Sequence, residues 1–169
     1  MRALKWTAVH SVFLTEIDDD HKEIVAALWA FNGLLAGGPA AELRPATERL
    51  ITCISEHFAH EERLMRAARY SSMRWHKGQH DNARTRVAGF VPRIEHGDMQ
   101  AGHALVKFVI SWLHNHTRLA DQMMAAFLRN HRRACKLTFL ASTKPVDACV
   151  WTDSHGNRLD PPATQLGNS

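Results

Sequence analysis

Seven ionisable side chains occupy apolar helical stripes in this chain, at positions where a folded protein places leucine, isoleucine or phenylalanine: His21; His57 with Glu61; His76 with His80; and His116 with Asp121. A buried polar group costs several kcal/mol unless something binds it, so seven of them converging on one core demand a shared partner. A pair of metal ions is the simplest such partner.

The stripes are read from a period of 3.6 residues, which predicts four helices. The first, about 18–36, places Ile17, His21, Ile24, Leu28, Phe31 and Leu35 inward, behind an aspartate-rich start suited to capping, and stops before Gly37-Gly38-Pro39. The second, about 41–68, carries Leu50, Ile54, His57, Glu61 and Leu64 on one face. The third, about 72–95, carries Met73, His76, His80, Ala83, Val87 and Phe90, and Pro92 kinks or ends it. The fourth, about 99–131, follows Gly97-Asp98 and presents Leu105, Val109, Trp112, His116, Leu119 and Met123. Short connections between long amphipathic helices imply antiparallel neighbours, hence an all-α, up-down-up-down four-helix bundle with the metal centre in its core. The bundle is expected to span 1–131. The helical period then fails, and 132–169, punctuated by Lys144-Pro145, Gly156-Asn157 and Pro161-Pro162, reads as an irregular or flexible C-terminal tail.

Composition narrows the class. A length of 169 residues suits one domain with a sizeable core. There is no apolar run of membrane-spanning length and no secretory leader pattern, so a cytoplasmic, non-membrane protein is expected. Cys53, Cys135 and Cys149 are odd in number and lack C-x-x-C spacing, which argues against a disulfide framework or a thiolate zinc site. The net charge of +4 is spread among acidic residues with no aromatic-interleaved basic patch, which argues against nucleic acid.

Ligand spacing supplies the chemistry. Residues four apart lie about 40° from one another around a helix, so His76 and His80 can chelate one ion, and His57 and Glu61 likewise aim together. His116 and Asp121, five apart, differ by about 140° in a regular helix. Either the helix is wound wider there, as in a π-bulge, or the two groups approach the site from its two sides. Two bridging carboxylates would leave five histidines to divide three and two, making one ion six-coordinate and the other five-coordinate, with a place for a small ligand. Imidazole and carboxylate without thiolate within a bundle favour non-haem iron. Only two protein carboxylates offset the four charges of a diferrous pair, so the high-valent states that oxidise hydrocarbons are poorly stabilised. Reversible dioxygen binding is the expected chemistry.

The segments I-D-D-D-H (17–21), H-F-A-H-E (57–61), H-K-G-Q-H (76–80) and W-L-H-N-H-T-R-L-A-D (112–121) resemble those of hemerythrins, especially bacterial single-domain ones, over about residues 6–131. The resemblance implies that His76, His80 and His116 hold the six-coordinate iron and that His21 and His57 hold the oxygen-binding iron. It further implies that Glu61, Asp121 and a hydroxo or oxo group bridge the two. Trp112 and Leu113 then match the apolar wall beside the oxygen, with Thr117 standing where the family often has isoleucine.

The expected function is therefore storage, transport or delivery of dioxygen by a monomer without catalytic residues, with an oxygen-consuming protein as recipient. The alternative is a di-iron enzyme or sensor handling peroxide, nitric oxide or redox signals. His10, His60, His96, His103, His114, His131 and His155 lack chelating spacing and read as surface or packing residues. Glu62 and Asp18-Asp19-Asp20 read as solvated face and helix start, and Trp29 and Trp75 as ordinary core.

Overall fold

The computed structural model describes residues 10–141, 151–152 and 158–159, with side-chain burial described for 10–135. Its helices are α1 (Thr15–Leu35), α2 (Ala40–Ala67), α3 (Met73–Ala88), a short α4 (Val91–Glu95), α5 (Met99–His116) and α6 (Gln122–Ala141). Between α5 and α6 lies a π-helical segment, Thr117–Asp121, so that α5 and α6 form one continuous rod with a wide turn in it. The architecture is an all-α four-helix bundle whose four members are α1, α2, α3 with α4, and the α5–α6 rod.

The breaks follow local chemistry. α1 and α2 are separated by Gly37, whose φ of 120° is one that side-chain-bearing residues rarely adopt. Proline at the start of α4 fits a new first turn but not the interior of a continuing helix, so the expected third helix ends at Ala88 and restarts at Val91. Gly97, with φ of 83°, then turns the chain, and Asp98 caps α5 by accepting from the Ala101 amide at 3.0 Å. The expected aspartate cap of α1 is corrected: Leu14 occupies the N-cap position without a side-chain bond. Asp18 reaches back to accept from Ser11 Oγ and the Val12 amide, at 2.7 and 2.8 Å, and so fixes the segment that enters the helix.

The predicted end of the last helix at 131 falls short, because α6 continues to Ala141. Beyond it, Trp151–Thr152 pairs antiparallel with Arg158–Leu159. The remainder of 132–169, including Cys149 and His155, lies outside the described residues.

The core has two apolar clusters. One gathers Ile24, Leu28, Phe31, Leu50, Ile54, Phe58, Val87, Leu105, Val109 and Leu113. The other gathers Val12, Leu14, Ile17, Met65, Met124, Ala125 and Leu128. On each helix that contributes to both, the ionisable residues fall in sequence between the two: His21 between Ile17 and Ile24, His57 and Glu61 between Ile54 and Met65, His116 and Asp121 between Leu113 and Met124. A polar layer thus lies between two hydrophobic plugs.

Two inward assignments are corrected. Leu119 is 57% exposed and Met123 46%, whereas Ala120 and Met124 are buried. The π segment adds one residue to the turn, which advances every later inward position by one. Trp75 is also exposed rather than core.

Candidate metal centre

Each helix delivers its share of the polar layer: α1 gives His21, α2 gives His57 and Glu61, α3 gives His76 and His80, and the rod gives His116 and Asp121. All seven are buried. The five-residue step from His116 to Asp121 is spanned by the wider π turn, the first of the two arrangements left open by spacing alone. In consequence His116 Nε2 and Asp121 Oδ1 stand 3.0 Å apart.

The seven fall into two groups of potential ligand atoms that share a carboxylate: Glu61, His76, His80 and His116; and His21, His57, Glu61 and Asp121. In the first, His116 Nε2 lies 3.1 Å from the Nε2 of both His76 and His80. Glu61 Oε2 is 3.2 Å from His76 Nε2 and 3.1 Å from His80 Nε2. Asp121 spans the two groups, with Oδ1 3.2 Å from His76 Nε2 and Oδ2 3.3 Å from His21 Nε2.

Protons alone serve this geometry badly. Three imidazole nitrogens facing one another at this range would clash if all were protonated and repel through their lone pairs if none were. Both oxygens of Glu61 and of Asp121, and both ring nitrogens of His57, are buried without a hydrogen bond. A cation at the focus removes the conflict. First-row metal bonds of about 2.1 Å place neighbouring ligands of an octahedron about 3 Å apart, which matches the separations observed. The donor set of imidazoles and carboxylates without thiolate fits a non-haem di-iron site.

The electrostatics suit a cationic guest. Burial and the Asp121 carboxylate push Glu61 upward, but the imidazoles of His57, His76 and His80 outweigh them and hold it at about 2. Burial also raises Asp121, and His116, His21 and His76 bring it well below the usual carboxylate range. Both acids are therefore ionised at neutral pH. Burial disfavours the charged form of His76, yet Asp121 and Glu61 carry it up to about 9. An arriving metal ion would displace a proton there.

The surroundings hold residues that sequence reasoning set aside. Glu62, read as solvated face, is held against His80: its Oε1 is 3.1 Å from His80 Nδ1 and accepts from Arg84 Nη2 at 2.9 Å. Asp20 and His60 form a pair at 2.7 Å, with Asp20 Oδ2 3.8 Å from His57 Nδ1. The signal available was spacing: Glu62 and Asp20 each adjoin a candidate ligand, but neither falls on an inward stripe.

Of the three expected wall residues, Trp112 stacks on His116 with ring centroids 4.3 Å apart and meets Phe58 edge-on at 5.1 Å. Leu113 is buried in the larger apolar cluster. Thr117 is fully buried, and its hydroxyl has no hydrogen-bond partner. A cleft of about 750 Å³ opens from solvent and reaches Trp112 and His116, with Trp75, Arg86, Lys107 and Phe108 along it.

Comparison with known proteins gives concordant matches. Residues 12–128 match the family described as the hemerythrin HHE cation binding domain. The chain is 31% identical over 121 residues to a bacteriohemerythrin of Pseudomonas paraeruginosa, covering 72% of this chain and 78% of that one. It is 28% identical to the bacteriohemerythrin of Methylococcus capsulatus, covering 73% and 95%. It is 29% identical to a hemerythrin of Themiste dyscrita, covering 69% and 86%. A crystal structure of wild-type hemerythrin superposes with a TM-score of 0.69 at 26% identity, covering 75% of this chain and 98% of that one.

Proposed function

Because the chain belongs to the hemerythrin family, we propose that it binds dioxygen reversibly at a non-haem di-iron centre, for storage or delivery. One observation carries the reading: two buried ligand groups, joined through Glu61 and spanned by Asp121, sit in one layer of the core. In this reading His76, His80 and His116 would hold one iron and His21 and His57 the other, with Glu61 and Asp121 as carboxylates available to both. The iron pair supplies the dioxygen chemistry when bound.

The chain's own residues do the rest. Glu61 and Asp121 bring two negative charges and are ionised without needing a base. The apolar plugs keep the layer dry, which strengthens every charge interaction in it and denies protons to whatever is bound there. Leu113 and Trp112 form the apolar wall on the rod's side, with the Trp112 ring covering one face of His116. Thr117 Oγ1, lacking a backbone partner, has a hydroxyl proton to offer within that wall.

The rival reading is a di-iron enzyme that turns over peroxide or nitric oxide. The cleft reaching His116 favours it, since turnover needs access for water and a reductant. Anaerobic titration with ferrous iron, followed by native mass spectrometry, tests the centre common to both. Two irons per chain are expected; saturation at one, or none, removes the di-iron reading.

A further inference from the structure

We propose that Glu62 and Arg84 are positioning residues that fix the tautomer of His80 and tune how strongly it donates to its metal. The part concerning the metal rests on the di-iron reading above; the part concerning the tautomer stands without it. Glu62 Oε1 lies 3.1 Å from His80 Nδ1, and the Glu62 side chain is only 12% exposed. A carboxylate there accepts a hydrogen bond from Nδ1–H, which keeps the proton on Nδ1 and leaves the lone pair on Nε2. That nitrogen is the one facing the cluster, 3.1 Å from both Glu61 Oε2 and His116 Nε2. By contrast Nδ1 of His76 has no hydrogen-bond partner.

Arg84 regulates the carboxylate. It donates to the same Oε1 at 2.9 Å and is itself held by Asp81 Oδ1 at 2.8 Å. Its guanidinium carbon also sits 5.0 Å above the Phe58 ring, and that ring stacks on His80 at 4.1 Å with planes 9° apart. His80 is thus clamped on its edge by Glu62 and on its face by Phe58, with Arg84 touching both. A carboxylate on the far nitrogen makes an imidazole ligand more basic, and losing such a partner costs about 10- to 100-fold in metal affinity. The Arg84 cation draws charge from Glu62 and so opposes that effect.

Two experiments test this. In the metal-free protein, imidazole nitrogen-15 shifts should show His80 protonated on Nδ1, moving to a mixture or to Nε2–H in Glu62→Ala. In the iron-loaded protein, Glu62→Gln keeps an acceptor but loses the charge, so iron affinity should fall about 10- to 100-fold and the midpoint potential should rise. Arg84→Gln leaves the carboxylate uncompensated, so the potential should fall. A purely structural role would not produce opposite signs. Shifts in one direction, no shift in either variant, or His80 protonated on Nε2 in the parent protein would overturn the proposal. Failure of the parent protein to load two irons would instead overturn the di-iron reading, while the metal-free tautomer would still decide the role of Glu62.

Discussion

At the scale of single residues, the candidate centre is built from side chains that are buried yet polar. His80 and His114 test it as a pair, since both are histidines on bundle helices but only His80 faces the cluster. His80→Ala should lose bound iron and destabilise the bundle together, because it removes a donor and leaves buried partners without one. His114→Ala should change neither, and iron analysis of both purified proteins checks this. Thr117 gives a prediction of opposite sign. A buried hydroxyl without a partner carries a desolvation penalty of about 1–3 kcal/mol, so Thr117→Val should stabilise the metal-free protein by about 1 kcal/mol in urea denaturation. It should also slow loss of the oxygenated form by removing a proton source from the wall; unchanged decay would place the hydroxyl away from the bound oxygen. The residues facing the cluster were legible because a histidine on an apolar stripe is costly enough to be informative. Glu62 and Arg84 were not, since each lies off the stripes and meets His80 through tertiary packing of α2 against α3.

At the scale of elements, the π segment decides which face of the last helix is inside. The five-residue gap between His116 and Asp121 was the only sign of it in the sequence, and it left two geometries open. A regular period carried past His116 puts Leu119 and Met123 inside; the structure buries Ala120 and Met124 instead. Met124→Ala should therefore cost about 2–5 kcal/mol in chemical denaturation, as truncation of a buried methionine does. Met123→Ala should stay within about 0.5 kcal/mol, as exposed substitutions do. Equal costs would mean that the rod is regularly α-helical. The other helices were easier to read, because an unbroken heptad-like stripe such as Ile17, His21, Ile24, Leu28, Phe31 and Leu35 allows only one phase.

At the scale of the whole molecule, four helices close around a polar layer, and every cluster residue lies between 21 and 121. Truncation after Ala141 should therefore leave iron content and thermal stability unchanged. Truncation after His131 removes Arg132, which donates to Glu16 of α1 at 2.5 Å. That pair is about a third exposed on each side, so its loss should cost no more than about 1 kcal/mol and leave the centre intact. The end of the last helix was poorly legible because the polar stretch from Arg129 to Lys136 masks its period. Arg129 in fact bonds the Val12 carbonyl, so its polarity serves a contact between the chain's entry segment and α6.

The most direct test of the central claim is a spectroscopic oxygen titration of the diferrous protein, cycled between oxygenated and deoxygenated buffer. One dioxygen should bind per pair of irons, with an absorption band that disappears on removal of oxygen and returns undiminished on its readmission. Stoichiometric oxygen consumption that leaves an oxidised centre unable to bind oxygen in the next cycle would contradict it.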